Sequence, residues 1–212
     1  MAEREFCACI FDMDGTLINS MEHWEQVFMV LLKRRGKEPD METADALKAR
    51  NVIEGLKFLK ERYSLADGIE ALYGELVELV RDIYDNLATV KSGVKDFLED
   101  LKREGIPMCV ATISDKGCAE RVLKRLGIRD YFSFILTDAD VGKGKSSPDL
   151  YLACAKRMGF EPKKTAVFED SFKYALVAKS AGFLVYASED YGNKNEFGEF
   201  LSFADGRAHW QK

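Results

Sequence analysis

Between residues 94 and 187 one pattern repeats four times: a stretch with helical apolar periodicity ends in glycine, a short apolar run follows, and that run ends in polar residues. The helical stretches are 94–104, 116–126, 148–158 and 172–181, followed by Gly105, Gly127, Gly159 and Gly182, each placed as a C-terminal cap. The apolar runs are 108–112, 134–137, 166–170 and 183–187. An earlier run, 6–11, is apolar without alternation, as expected of a strand buried on both faces, and stops abruptly at Asp12. Short strands alternating with helices of this length predict an α/β fold, a parallel sheet with helices on both faces.

From Ile18 to about Thr89 the strand pattern vanishes. Trp24, Val27, Phe28 and Leu31 recur at helical spacing up to Gly36, and Asn51-x-x-Glu54 and Asp67-x-x-Glu70 read as capping boxes opening further helices. This predicts an all-helical insert, residues 18–89, interrupting a core of residues 1–17 and 90–212. Leaving after the first strand, the insert is expected to act as a mobile lid at that strand's carboxyl end.

In a parallel sheet, ligands bind beyond the carboxyl ends of the strands. The residues there are Asp12-Met13-Asp14-Gly15-Thr16, then Thr112-Ile113-Ser114, then Gly144-Lys145-Ser146-Ser147-Pro148-Asp149, then Glu169-Asp170-Ser171. Carboxylates converging on one crevice repel one another and raise the pKa of at least one, unless a cation joins them. Oxygen-only ligands favour magnesium. Lys145 adds a fixed positive charge, and the set suits phosphoryl transfer, where charge stabilisation and positioning supply most of the rate. Thr112 and Ser114 read either as phosphoryl-binding hydroxyls or as caps of the helix at Lys116. Asp-x-Asp-Gly can open a calcium loop, but an EF-hand needs glycine at its sixth position and here it is fourth.

These motifs, in this order and approximate spacing, resemble the haloacid dehalogenase superfamily: D-x-D-G-T after a buried strand, Thr at the end of the next core strand, G-K-x-x-P-D, and F-E-D-S. The likeness spans nearly the whole chain and is to the branch of beta-phosphoglucomutase and phosphoglycolate phosphatase, with a Rossmann-like core and a helical cap after the first strand. The resemblance implies that Asp12 is the nucleophile, forming an aspartyl phosphate, and that Asp14 is the acid and base. It further implies that Thr112, Ser114 and Lys145 hold the phosphoryl group. Mg2+ would sit on Asp12, Asp170, Glu169 and the backbone carbonyl of Asp14. Departures are Ile18-Asn19-Ser20 at the hinge, Ile113, and Phe172-Lys173-Tyr174 after Asp170. Where beta-phosphoglucomutases place a histidine, twelve residues after the nucleophile, Trp24 stands, with His23 one position earlier.

The expected activity is hydrolysis of a small phosphomonoester, a sugar phosphate foremost. The alternative is a phosphomutase using the same Asp12 and Asp14. Dehalogenation is disfavoured by the intact Asp14, and a binding protein without catalysis by the presence of Asp12, Lys145 and Asp170. Lys48 and Arg50 read as substrate contacts from the insert or as a solvated pair. His23 and His209 are too few and too far apart for zinc. Cys7 and Cys9, on one face of the first strand by alternation, are expected to be reduced packing residues. A net charge of -5 without a basic run excludes the concentrated positive face that nucleic acid requires. No run approaches the roughly 18 apolar residues of a membrane span, and no targeting segment is readable at the start. The expectation is a cytoplasmic monomer.

Overall fold

The computed structural model describes residues 5–48, 50, 52–190 and 193, apart from the side chains of Glu25 and Lys48. The Lys48 side chain, Asn51 and His209 thus lie outside the described residues. The chain divides into two compact units, 1–19 with 88–212, and 20–87.

The first unit is built on a five-stranded parallel sheet in the order β5-β4-β1-β6-β7, matching the expected Rossmann-like α/β core. Its strands are β1 (Ala8–Phe11), β4 (Met108–Thr112), β5 (Ile135–Thr137), β6 (Thr165–Glu169) and β7 (Leu184–Ala187). Central β1 is fully buried, with Ile10 opposite Cys109 on one side and Val167 on the other. Its lack of alternation follows, because neither face meets water. The strand order reverses at β1, so the chain leaves β1 at the crevice where α/β folds place ligands. Helices α5 (Val94–Arg103), α6 (Lys116–Arg125), α7 (Asp138–Val141), α8 (Asp149–Met158) and α9 (Phe172–Ser180) make the crossovers. Four of them run into Gly105, Gly127, Gly159 and Gly182, all at positive φ between 69° and 87°. That conformation, costly for other residues, ends each helix in the left-handed turn that sends the chain back to the sheet. Phe11 stacks on Phe168 at 4.6 Å between centroids, and Phe168 on Tyr186 at 5.1 Å, fixing three strands side by side through their aromatic rows.

Two short strands not anticipated from the sequence, β2 (Ile18–Asn19) and β3 (Thr89–Val90), pair antiparallel where the insert leaves and returns. Two residues per strand are too few to show periodicity, which is why the pattern was silent.

The second unit is helical: α1 (Met21–Lys33), α2 (Met41–Lys48), α3 (Val52–Tyr63) and α4 (Ile69–Asp82), with a π-helical turn at Ile83–Leu87. Leu31, Leu32, Leu56, Leu59 and Leu72 are its buried face. The Trp24 ring lies edge-on to Tyr84, and its indole nitrogen is buried with no partner among the described residues. The capping box expected from Asp67 does not form. Gly68 is the N-cap of α4, and the Asp67 carboxylate instead takes two bonds from Arg35, at 2.9 and 3.0 Å. A bidentate guanidinium outcompetes a single backbone N–H. Cys7 also departs from expectation: it is exposed, because the pleat begins only at Ala8, whereas Cys9, Cys109, Cys118 and Cys154 are buried. None of these cysteines is in a disulfide. Among the described residues no helix is long and apolar enough to cross a membrane.

Candidate active site

Asp12 follows the last residue of β1, and its N–H donates to the Phe168 carbonyl at 2.9 Å, holding it against the end of β6. There Glu169 ends β6 and Asp170 follows. Carboxylate oxygens of Asp12, Glu169 and Asp170 lie within 4.8 Å of one another, and among the described residues this is the only such group able to hold a metal ion. Asp12 is 6% exposed and Glu169 1%.

Lys145 enters from the loop before α8 and is itself 1% exposed. It donates to Asp12 and, at 2.9 Å, to Glu169. Burial opposes its charge, but Asp12 and Glu169 outweigh that and keep its pKa well above the ordinary lysine value. Glu169 is raised to about 7, by burial first and the Asp12 charge second, against the pull of Lys145. Asp170 is raised well above the carboxylate range by withdrawal from water and by Asp12 and Glu169. Ionised together, three acids facing one lysine would carry excess negative charge that a dry site tolerates poorly. The donor set is all oxygen, so a hard dication such as Mg2+ fits it.

Glu169 is already heavily engaged. Its Oε2 accepts from Lys145 and from the Tyr151 hydroxyl at 2.8 Å, and its Oε1 from the Ser171 N–H at 3.3 Å. It is therefore better placed to hold Lys145 than to spend its lone pairs on a metal. Tyr151 was not anticipated from the sequence, where it reads as part of the apolar stripe Leu150, Tyr151, Cys154 and Ala155 that α8 buries. Its signal was a polar tip in that stripe, since a buried tyrosine hydroxyl needs a partner.

Asp14 is partly buried and accepts from the Ser114 hydroxyl at 2.8 Å across 100 residues of sequence. Thr112 ends β4, and its hydroxyl accepts from the Ser114 N–H at 3.0 Å, shaping the loop into α6. The cap of α6 is Asp115, which accepts from the Cys118 N–H at 2.9 Å. Neither Thr112 nor Ser114 is spent on that role. The turn after Asp14 requires glycine twice over: Gly15 has φ of 79°, and a Cβ there would run into the Asp170 carboxylate. Thr16 donates to Asp170 at 3.3 Å. Thus Asp12, Asp14, Thr112, Ser114, Lys145, Glu169 and Asp170 all gather at the carboxyl edge of the sheet. Arg50, by contrast, lies in the helical unit with its guanidinium 4.3 Å from the centre of the Phe58 ring.

The family profile of haloacid dehalogenase-like hydrolases matches residues 7–182. The phosphorylated carbohydrates phosphatase of Thermotoga maritima is 30% identical over 175 residues, covering 82% of this chain and 81% of that protein. The fructose-1-phosphate phosphatase of Escherichia coli is 30% identical over 190 residues, covering 86% and 95%. A crystal structure described as a putative beta-phosphoglucomutase from Thermotoga maritima superposes with a TM-score of 0.79 at 27% identity, covering 95% of this chain and 92% of that one. The profile match and the two phosphatases at 30% identity agree with the fold and the gathered acids, and the chain belongs to the haloacid dehalogenase-like hydrolases, among their phosphatases.

Proposed function

We propose that this phosphatase is a magnesium-dependent phosphomonoesterase acting on a small phosphorylated metabolite, a sugar phosphate foremost, through an aspartyl phosphate on Asp12. The observation that carries the reading is the trio Asp12, Glu169 and Asp170, the first two buried and bonded to a single buried lysine. The sugar-phosphate preference is supported by the substrates named for the Thermotoga maritima and Escherichia coli relatives.

An Asp12 carboxylate oxygen attacks phosphorus as the bond to the leaving alkoxide breaks, and Asp14 gives the alkoxide its proton. Asp14 then takes a proton from the water that cleaves the aspartyl phosphate. The Ser114 hydroxyl on Asp14 fixes which way that carboxyl faces. Thr112, Ser114 and the N–H groups entering α6 bind phosphoryl oxygens, with the positive end of the helix behind them. Lys145 balances charge on Asp12 and on the transferring group, and Glu169, braced by Tyr151, positions Lys145. Asp12, Asp170 and the Asp14 carbonyl would hold Mg2+, with Glu169 beside them. Bound there, the ion would neutralise phosphoryl charge and orient the group for in-line attack. The helical unit acts as the cap that sets substrate selectivity.

Phosphate release from a panel of sugar phosphates and other small phosphomonoesters, with magnesium and with chelator, tests the reading. Asp12→Asn is expected to lose on the order of 10⁶-fold in turnover, the scale of losing a nucleophile, and release by the wild type is expected to stop with chelator. Release that survives either change rejects the mechanism. The beta-phosphoglucomutase likeness favours a second reading, phosphomutase. Isomerisation of a glucose phosphate only when primed by a bisphosphate would select it.

A further inference from the structure

We infer that Lys91 is a positioning residue for the metal-binding carboxylate Asp170, fastening three backbone segments into one frame around it. The inference rests on the magnesium reading above.

Lys91 follows β3 directly, and its N–H continues the β2–β3 ribbon by donating to the Leu17 carbonyl at 3.0 Å. Its side chain is 11% exposed and its partner Asp190 10%. The ammonium donates to the Gly15 carbonyl at 2.6 Å, the Glu189 carbonyl at 2.6 Å and Asp190 Oδ1 at 2.9 Å. An ammonium has three protons, and here each has an acceptor. Those acceptors belong to the turn after Asp14 and to the segment after β7, the two segments that hold Asp170. From the first side, Gly15 packs against the Asp170 carboxylate and Thr16 donates to it. From the second, Asn193 Nδ2 donates to the Asp170 carbonyl at 2.7 Å and to the Ser188 carbonyl at 2.8 Å, while its side-chain oxygen accepts from the Asp190 N–H at 2.9 Å. Ser188 closes the frame, its N–H on the Glu169 carbonyl at 2.9 Å and its hydroxyl on the Gly15 carbonyl at 3.3 Å.

Charge argues the same way. Asp190 is a fourth acid beside the trio, and its negative charge is among those that disfavour ionised Asp170. Lys91 cancels that charge while its own three bonds go to the Gly15 and Glu189 carbonyls and to Asp190, so none of them is spent on Asp12, Glu169 or Asp170. Groups that orient metal ligands from behind typically matter by 10- to 100-fold in metal affinity.

The test is calorimetric titration of Mg2+ into the whole protein without substrate, with thermal unfolding in chelator as the control for fold. Lys91→Met is expected to weaken Mg2+ binding by roughly 10- to 100-fold, and Lys91→Arg to recover part of the loss. The double variant Lys91→Met with Asp190→Asn removes both charges, so it avoids an unpaired buried acid and remains informative if the single variant does not fold. It is expected to bind as weakly as the single variant, because the frame is gone although the charge balance is kept. Either Met-bearing variant binding Mg2+ as tightly as wild type overturns the inference. Wild-type protein that binds no Mg2+ overturns the metal reading and this inference together, whereas wild type that binds beside an unaffected variant overturns this inference alone.

Discussion

The clustered site acids of the sheet unit and the acids of the helical unit are treated in opposite ways. In the sheet unit Glu169 and Asp170 are driven upward in pKa, first by burial and then by neighbouring acids. In the helical unit Asp40 is driven down to about 2 by the Thr43 hydroxyl and N–H and by Arg62, and Asp67 is driven down by Arg35. The helical acids thus favour their ionised form in the fold, and the fold gains from them. The sheet acids are the reverse: the fold resists their ionised form and keeps protons on them. A chain selected for stability alone would replace such a cluster with apolar groups, often at no loss. Keeping it makes sense where charge must be ready for chemistry, which is where strain between stability and function is expected to concentrate.

The largest expected effect breaks the sheet side of this contrast. Lys145→Met removes the one cation from among Asp12, Glu169 and Asp170, and leaving buried charge unpaired costs about 3–5 kcal/mol. Denaturant unfolding at mildly alkaline pH in chelator should show that loss, and turnover should collapse with it. Added Mg2+ or lower pH should restore part of the stability, because either relieves the same negative charge. A loss that neither condition relieves would mean that packing, not charge, is what Lys145 provides.

Next in size is a proton count. Glu169 near 7 and Asp170 well above the carboxylate range retain protons at neutral pH without metal, and a cation binding there must expel them. Calorimetric titrations in buffers of different ionisation enthalpy should therefore report proton release, and Mg2+ affinity should fall as pH drops through about 7, by about tenfold per pH unit for each proton released. Binding without proton exchange would show that the acids are ionised throughout, and the contrast between the units would disappear.

The fold was legible because its grammar is local. Gly105, Gly127, Gly159 and Gly182 mark helix ends within a residue or two, and 108–112 announces β4 by composition alone. The main acids were legible for a topological reason: residues at the carboxyl ends of parallel strands have one place to go. What escaped depends on distance in sequence. Lys91 meets Gly15 across 76 residues and Asp190 across 99, Tyr151 reaches Glu169 from a helix that reads as apolar, and Asn193 lies beyond β7, outside any motif. Asp67 shows the opposite failure, a correct local preference overridden by Arg35 from the turn after α1. Short-range signals thus found the strands and the acids, while the side chains that brace those acids came only from the assembled structure.

The smallest expected effect tests the helical side. Asp40 precedes α2, and its Oδ1 accepts from the Thr43 N–H at 2.8 Å and from the Thr43 hydroxyl at 2.6 Å, while its Oδ2 accepts from Arg62 at 3.0 Å. A carboxyl whose folded pKa lies below its ordinary 3.8 adds stability that is complete above that value and disappears as pH falls toward about 2. The side chain is exposed to screening by solvent, so the gain is slight. Asp40→Asn keeps a capping oxygen nearly as good as the original but cannot titrate and loses the pair with Arg62. Thermal unfolding followed by circular dichroism should find variant and wild type separated by a small gap at neutral pH that closes as the solution is acidified below about 4. At the same time, phosphate release at neutral pH should be unchanged. A gap that stays constant into acid would mean that Asp40 is not held ionised by the fold. Altered turnover would mean that the helical acids are not confined to stability.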